Sequence, residues 1–176
     1  PMKAEIQIFD ANKISSELLN DFDGQVDKIF VANEGSDEQW SQPSWYVFYF
    51  LDGKWVSAAT LHKRTISVDS RQIDVIGVGT VMTLPSYKGQ GYSSEVMKAA
   101  KTFACGSGTY ACMMLFCMPK MVNFFASLGW QKITAPIVYT TSTGTKTMTK
   151  YVSMVCFCNQ DSSWSDYDVN LCGLPW

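Results

Sequence analysis

The chain has 176 residues, a length typical of one domain, and we expect residues 1–176 to form a single folded unit. Hydrophobic residues make up 47% of it and charged residues 17%, which excludes a disordered chain. The net charge of −2 argues against nucleic acid as a partner, because binding it requires a basic surface. Apolar runs are shorter than the roughly 18 residues that cross a bilayer, and the amino terminus lacks a secretory pattern, so we expect a cytoplasmic protein with no membrane partner.

The cysteines and the histidine do not indicate a metal site. The six cysteines contain no CxxC pair, and the single histidine, His62, is distant from all of them in sequence. Cys156 and Cys158 stand in an apolar run, where free thiols act as small core residues. We therefore expect no metal, and thiols that are reduced and structural.

The chain begins with the pattern of a strand and a helix. Residues 4–9 alternate between apolar and polar side chains, as a short strand does. Asn12 offers an amino-terminal cap for the helix that follows. Gly24 should weaken or end this helix, so that residues 26–30 form a second segment.

A three-stranded antiparallel meander is predicted next, because Asp52-Gly53 lies between runs of aromatic and β-branched residues. Pro85 ends its third strand. The spacing of apolar residues then predicts these elements: a helix through 96–104, a strand at 110–116, a helix at 119–128 closed by Gly129, and strands at 133–141 and 150–158 around a Thr-rich connection. Residues 158–176 form a polar and aromatic tail.

The segment from Val78 to Ala100 carries the clearest functional pattern: a strand, then the turn Lys88-Gly89-Gln90-Gly91-Tyr92-Ser93, then an amphipathic helix. A glycine turn that opens a helix points backbone N–H groups outward, where the helix dipole favours an anion such as a pyrophosphate. The same glycines would also suit a tight turn with no ligand. The pattern is neither a Rossmann fingerprint nor a P-loop, because a parallel βαβ unit and a Gly-Lys-Ser/Thr ending are both missing.

This order of elements, with Pro-x-Tyr-Lys-Gly-x-Gly before one helix and Phe-Phe-Ala-Ser-Leu-Gly-Trp at the end of another, resembles the GCN5-related N-acetyltransferase (GNAT) superfamily. Lys88-x-x-Gly91-x-Ser93 stands where that superfamily has its acyl-CoA signature. The chain looks most like the aminoglycoside 2'-N-acetyltransferases and the rhizobial nodulation acyltransferases, through a tail that ends on tryptophan. The resemblance implies an α/β (α+β) fold, in which a mixed, mostly antiparallel sheet of about seven strands is flanked by about four helices.

The resemblance also implies an acyl-CoA-dependent N-acyltransferase without a metal, which moves acetyl from acetyl-CoA to a primary amine of a small molecule by direct attack. The residues that would contact the cofactor are Val81, Met82, Thr83, Lys88, Gly89, Gln90, Gly91, Tyr92, Ser93 and Phe125. Two alternatives stay open. One is transfer of a longer acyl chain, which the apolar stretch CMMLFCM would accommodate, and the other is a degenerate member that binds coenzyme A or a partner without catalysis.

The usual catalytic groups of the family are missing. The tyrosine that serves as the general acid in the family aligns with Phe125. The glutamate that the aminoglycoside enzymes carry on the fourth strand aligns with Gly79. Either a neutral amine attacks unaided or other groups serve; the candidates are Cys117, Glu34 and the terminal carboxylate of Trp176, with Tyr110, Asp37 and Glu38 as further options. His62 is interpreted as a satisfied sheet residue rather than a base.

The acceptor amine is expected to contact Asp37, Trp40, Asp168 and Trp176, with the tail at residues 158–176 folding over it. Lys146 and Lys150, in the connection between the last two strands, argue against a polycationic acceptor. The expected partners are an acyl-CoA and this amine, and a homodimer is left open.

Overall fold

The computed structural model describes residues 1–30, 38–159, 164 and 167–176. One mixed sheet runs through it, with three α-helices packed against the strands. The strands are β1 (Ala4–Asp10), β2 (Trp45–Leu51), β3 (Lys54–Val68), β4 (Arg71–Thr83), β5 (Cys112–Cys117), β6 (Gln131–Lys132), β7 (Ile137–Thr141), β8 (Gly144–Thr147), β9 (Val152–Phe157) and β10 (Val169–Asn170). The helices are α1 (Ser16–Ile29), α2 (Tyr92–Gly106) and α3 (Val122–Ser127).

The sheet is mostly antiparallel, as predicted. Among the described strands, only β4 with β5 and β7 with β10 pair in parallel. The predicted meander is β2, β3 and β4, and its first turn is the predicted one: Asp52 and Gly53 both have positive φ, 47° and 81°, which suits a two-residue hairpin. The short strands β6, β8 and β10 were not predicted. The Thr-rich connection that we predicted to be a loop contains β8, which pairs with β7.

The first helix differs from the prediction at both points where its limits were inferred. Ser15, not Asn12, caps it, and its hydroxyl accepts a hydrogen bond from the Leu18 amide at 3.2 Å. The helix runs on through Gly24 to Ile29. A single glycine costs a helix about 1 kcal/mol, and the burial of Phe22 in the preceding turn outweighs that cost.

Apolar side chains cover both faces of the central strands. On one face α2 places Val96, Met97 and Ala100 against β4 and β5. On the other face lie Val169 and Trp176 of the tail, together with Leu171. The tail is therefore part of the core rather than a loose extension of the chain.

The expectation of reduced thiols is wrong for one pair. Cys105, in the last turn of α2, forms a disulfide with Cys158, just after β9. The fold brings their Cα atoms within 5.2 Å, although 53 positions separate them in sequence, so no local pattern could indicate the pairing. Cys112, Cys117 and Cys156 are buried free thiols.

None of the helices in the described ranges is long and apolar enough to cross a bilayer.

Candidate active site

Two neighbouring strands separate at the centre of the sheet. In the described chain β4 and β5 pair over only three residues each, Val75–Gly77 with Cys112–Met114. Beyond this point β4 continues beside β3 and β5 continues beside β9. We call the gap between residues 78–83 of β4 and residues 115–117 of β5 the β4–β5 wedge.

A bulge shapes the β4 side of the wedge. The register of β4 with β3 shifts opposite Ala58–Thr60, and Thr80 has a φ of 49°. A positive φ is uncommon for a threonine and needs support from its surroundings. Next to the bulge, the hydroxyl of Ser57 donates to the Met82 carbonyl at 2.9 Å. A bulge interrupts the regular hydrogen bonding of its strand, which makes main-chain groups of residues 80–81 available to a ligand in the wedge.

The glycine turn leads from the wedge to the amino-terminal end of α2. Gly89 and Gly91 have φ values of 76° and 84°, a region that glycine occupies without strain. Gly91 is the cap residue, and within the described chain no side chain accepts a hydrogen bond from the first turn of this 15-residue helix. The side-chain hydroxyls of Thr83 and Ser93 form a hydrogen bond, with 2.5 Å between their oxygens, which fixes the end of β4 against α2.

Trp176 closes the wedge on the face away from α2. Its indole N–H donates to the carbonyl of Met114 at 2.9 Å, at the last residue of β5 that pairs with β4. The ring lies against Gly77, where a Cβ atom would overlap it, and its centroid is 5.2 Å from that of Phe116. The guanidinium carbon of Arg64 lies 5.1 Å from the ring centroid. Trp176 is only 5% exposed as a result.

Three groups converge on the place where a side chain at position 79 would project. A Cβ atom on Gly79 would lie 3.0 Å from Thr60 Oγ1, 3.3 Å from His62 Nε2 and 3.3 Å from the carbonyl carbon of Trp176. Burial, with a smaller contribution from the positive charge of Arg64, lowers the pKa of His62 to about 4, although a hydrogen bond to the backbone of Gln42 opposes the shift. The imidazole is therefore neutral at pH 7.

An open pocket lies between the chain at residues 38–40 and the hairpin of β7 and β8. The rings of Trp40 and Tyr151 lie 5.9 Å apart on its wall, and Glu38 accepts a hydrogen bond from Lys150 at 2.6 Å. Pro175 also lines it. Pro175 directly precedes Trp176, so the pocket adjoins the segment of the tail that reaches the wedge.

The structure brings together most of the residues predicted to bind the cofactor. Val81, Met82 and Thr83 line the β4 side of the wedge, and the residues from Lys88 to Ser93 form the adjoining turn and first helical turn. Of the residues predicted to contact the acceptor, Trp40 lines the pocket together with Pro175, and Trp176 is the residue that follows Pro175. Glu34 and Asp37 lie outside the described residues.

Of the other predicted site residues, two are buried in the core and one lies elsewhere. Cys117 ends the β5 side of the wedge, with its side chain in the core on the face that α2 covers; its Sγ atom lies 3.8 Å from the sulfur of Met154, and burial raises the pKa of its thiol. Phe125 is buried in the core, with its ring 6.2 Å from that of Trp130. Asp168 lies beside the turn after β3, where its amide donates to Asp69 at 2.9 Å.

Thr60 and His62, which lie beside Gly79, were not predicted to be near the site. Together with Arg64 they stand at alternate positions of β3 and therefore share one face of the sheet. In the part of the chain that the structure describes, no cluster of three or more His, Cys, Asp or Glu side chains could hold a metal ion.

Comparison with known proteins gives one family and a common fold. A family model described as an acetyltransferase (GNAT) domain matches residues 10–133, and no curated protein matches the sequence. ElaA of Escherichia coli superimposes with a TM-score of 0.65 at 15% identity, and an acyl-CoA N-acyltransferase of Pseudomonas aeruginosa with 0.65 at 14%; each match covers 88% of this chain and 99% of the other.

A third structure, the GNAT family N-acetyltransferase YhbS of Escherichia coli in complex with CoA, gives a TM-score of 0.59 at 12% identity, over 98% of this chain and 91% of that one. At such identities the likeness shows the fold alone, and it is the fold that the sequence predicted.

Proposed function

The chain belongs to the acetyltransferase (GNAT) family, and on this premise we propose that it transfers an acetyl group from acetyl-CoA to a primary amine of a small molecule. Membership of the family supports acyl transfer from a coenzyme A thioester in general. The observation that carries the proposal further is the hydrogen bond between Thr83 and Ser93, which joins the wedge to the start of α2. The wedge, where the thioester would lie, thereby adjoins the turn that would hold the pyrophosphate.

The cofactor would bind along the β4 side of the wedge. The amides from Gly89 to Ser93, at the positive end of the α2 dipole, would donate to the pyrophosphate, and the exposed Lys88 would add a positive charge. The pantetheine arm would follow Val81 to Thr83, and the main-chain N–H at Val81, beside the bulge, would donate to the thioester oxygen.

Acetyl is the acyl group that fits this arrangement. Trp176 and Phe116 occupy the face of the wedge opposite α2, and Trp176 is held there by its hydrogen bond to Met114. A longer acyl chain would have to displace one of these rings or enter the packed core beneath α2. The proposal of acetyl therefore rests on the filled wedge, and a long-chain thioester provides its test.

The acceptor would enter through the pocket beside Trp40 and Pro175. From this side an amine would meet the thioester across Trp176, in a ternary complex. Its lone pair would attack the thioester carbon directly, without a protein acid or base. Phe125 has no acidic proton, and the Cys117 thiol lies on the face of the sheet that α2 covers.

Titration calorimetry with acetyl-CoA, CoA and a long-chain acyl-CoA tests the cofactor site. We expect binding of acetyl-CoA and CoA, and weaker binding of the long-chain thioester. Gly91→Asp should reduce the affinity at least about tenfold, because a like charge a few ångströms from the pyrophosphate costs on the order of 1 kcal/mol or more.

Gly91→Asn is the matched control, since it has nearly the same shape and the same strained φ without the charge. Equal losses in the two variants would refute a pyrophosphate at this turn. Release of free CoA thiol with a panel of primary amines then tests turnover. Binding of acetyl-CoA without turnover on any amine would favour the degenerate, non-catalytic alternative.

A further inference from the structure

The open pocket beside Pro175 lies between the two halves of the sheet that the wedge separates. Trp40 belongs to the half formed by β3 and β4, because the hydroxyl of the next residue, Ser41, lies 2.9 Å from Nδ1 of His62 on β3. Tyr151 belongs to the half formed by β5 and β9, because it directly precedes β9, whose first residue pairs with the last residue of β5. The rings of Trp40 and Tyr151, 5.9 Å apart, therefore meet between the two halves.

Trp40 exposes an apolar ring to water on the wall of this pocket. It is 38% exposed, whereas the other five tryptophans of the chain are buried or half-buried. Tyr139 and Met148 add apolar surface to the same wall. Aromatic rings gain free energy both from burial and from contact with other rings, and small-molecule sites are lined mainly by such side chains. The wall therefore favours a ligand with a flat, apolar body.

The charges of the pocket disfavour a second positive charge on the ligand. Glu38, the one acidic side chain among the described residues that line it, accepts a hydrogen bond from Lys150 at 2.6 Å, and this bond raises the pKa of Lys150. The Lys150 ammonium also lies 5.4 Å from the centroid of the Tyr151 ring, so the aromatic wall already has a cation. Lys146 lines the pocket as well. An ammonium group would be repelled here, and a carboxylate would be attracted.

The two lysines and the rings together orient an amine. Its apolar body would cover Trp40, while the lysines would keep its amino end out of the pocket. Pro175 forms a wall without charge, and it directly precedes Trp176, which closes the wedge. The amino end would therefore leave the pocket along the tail, toward the place where the thioester would lie.

We propose that the acceptor is an aromatic primary amine without a second positive charge, that its ring packs against Trp40 and Tyr151, and that Lys146 binds a carboxylate on this ring. The inference rests on the proposed function and names the class of its acceptor. The neutral amine attacks the thioester carbon, and the C–N bond forms. The C–S bond breaks with its electron pair on sulfur, and the proton lost by nitrogen passes to the thiolate, which gives the amide and CoA. Trp40 and Lys146 determine specificity and do not touch the reacting atoms.

A panel of four amines tests the class of acceptor. The panel is phenethylamine, its para-carboxylate derivative, hexamethylenediamine and ethylamine, each with acetyl-CoA, and kcat/KM is expressed per neutral amine so that differences in amine pKa do not enter. We expect phenethylamine to exceed ethylamine at least about tenfold, because its ring is buried against the wall. The carboxylate should give a further increase of about two- to fivefold, the range for an exposed ion pair. The diamine should be no better than ethylamine.

Variants of the pocket then connect the preference to its residues. Trp40→Ala should lower kcat/KM for phenethylamine about tenfold and leave ethylamine, which is too short to reach the ring, within about twofold. The ratio of the two amines within one variant cancels any change in folding or in cofactor binding. Tyr151→Phe, which keeps the ring, is the matched control and should retain the preference. Lys146→Gln should remove the increase due to the carboxylate, whereas Lys13→Gln, at an exposed lysine that does not line the pocket, should retain it.

Three results would overturn the inference: equal kcat/KM for phenethylamine and ethylamine, a preference for the diamine, or equal losses on both short amines in Trp40→Ala. Transfer to any amine would still uphold the proposed function in each of these cases. A carboxylate effect that survives in Lys146→Gln would contradict the role of Lys146. The wild-type panel carries the test alone if Trp40→Ala does not fold. A wild type that neither binds acetyl-CoA in calorimetry nor acetylates any amine refutes the proposed function itself, and the inference with it.

Discussion

Acidification should destabilise this fold through His62, the single histidine of the chain. In the folded protein its pKa lies near 4, because burial removes the imidazole from water and Arg64 repels a second positive charge. In the unfolded chain the same group has a pKa of about 6.5. Between these two values the unfolded chain binds a proton that the folded protein does not bind, so the free energy of unfolding rises with pH across this window.

The magnitude follows from the two pKa values. Above pH 6.5 the imidazole is neutral in both states, and its contribution to stability is level. As the pH falls from 6.5 to 4 the contribution is lost, and the difference of about 2.5 pKa units corresponds to about 3 kcal/mol. That is a substantial part of the 5–15 kcal/mol that stabilises a typical domain.

Urea unfolding of the wild type and of His62→Gln, from pH 4.5 to 7.5, measures this contribution. Carboxylates titrate in both proteins, so the difference between the two curves isolates His62. We expect the advantage of the wild type to decrease by about 2 to 3 kcal/mol between pH 7 and pH 4.5. An NMR titration of the single imidazole gives the folded pKa directly. A folded pKa near 6.5, or parallel stability curves, would refute the buried, neutral imidazole.

Two further predictions concern the packing of the tail and the disulfide. Gly77→Ala should expel Trp176 from the wedge, because the new Cβ atom overlaps the ring. We expect urea denaturation to give a free energy of unfolding about 2 to 4 kcal/mol lower than that of the wild type. Retained stability would show that the ring has room to shift. Replacing Cys105 and Cys158 together by serine should cost about 4 kcal/mol, because the crosslink spans 53 positions; a variant as stable as the oxidised wild type in the same assay would contradict the disulfide.

The parts of the fold that the sequence predicted are those with local signals. The hairpin at Asp52-Gly53 was predictable because two adjacent residues with positive φ specify the turn, whatever lies elsewhere in the chain. The turn before α2 was predictable for the same reason. The end of α1 was not, because Gly24 weakens the helix locally while Phe22 stabilises it through tertiary packing. Propensity alone cannot rank these two effects.

The candidate site was predictable only in part, because its parts differ in origin. The residues proposed to hold the cofactor lie in one continuous segment, from Val81 to Ser93, and its glycine pattern is visible in the sequence. The groups beside Gly79 come from distant segments: Thr60 and His62 lie on β3, Ser41 and Gln42, which contact the imidazole, precede β2, and Trp176 comes from the tail. Only the register of β3 with β4 and the path of the tail bring these groups together.

The two glycines of β4 connect the catalytic and the structural interpretations. In the sequence, Gly79 was interpreted as the loss of a general base. In the structure, Gly77 and Gly79 share one face of β4, and a side chain at either position would meet Trp176 of the tail. Small residues at these positions are a requirement for packing Trp176 and the Thr60–His62 pair against β4. A glutamate could not be accommodated at Gly79 without displacing them, so the glycine that removes a possible base also makes room for the tail.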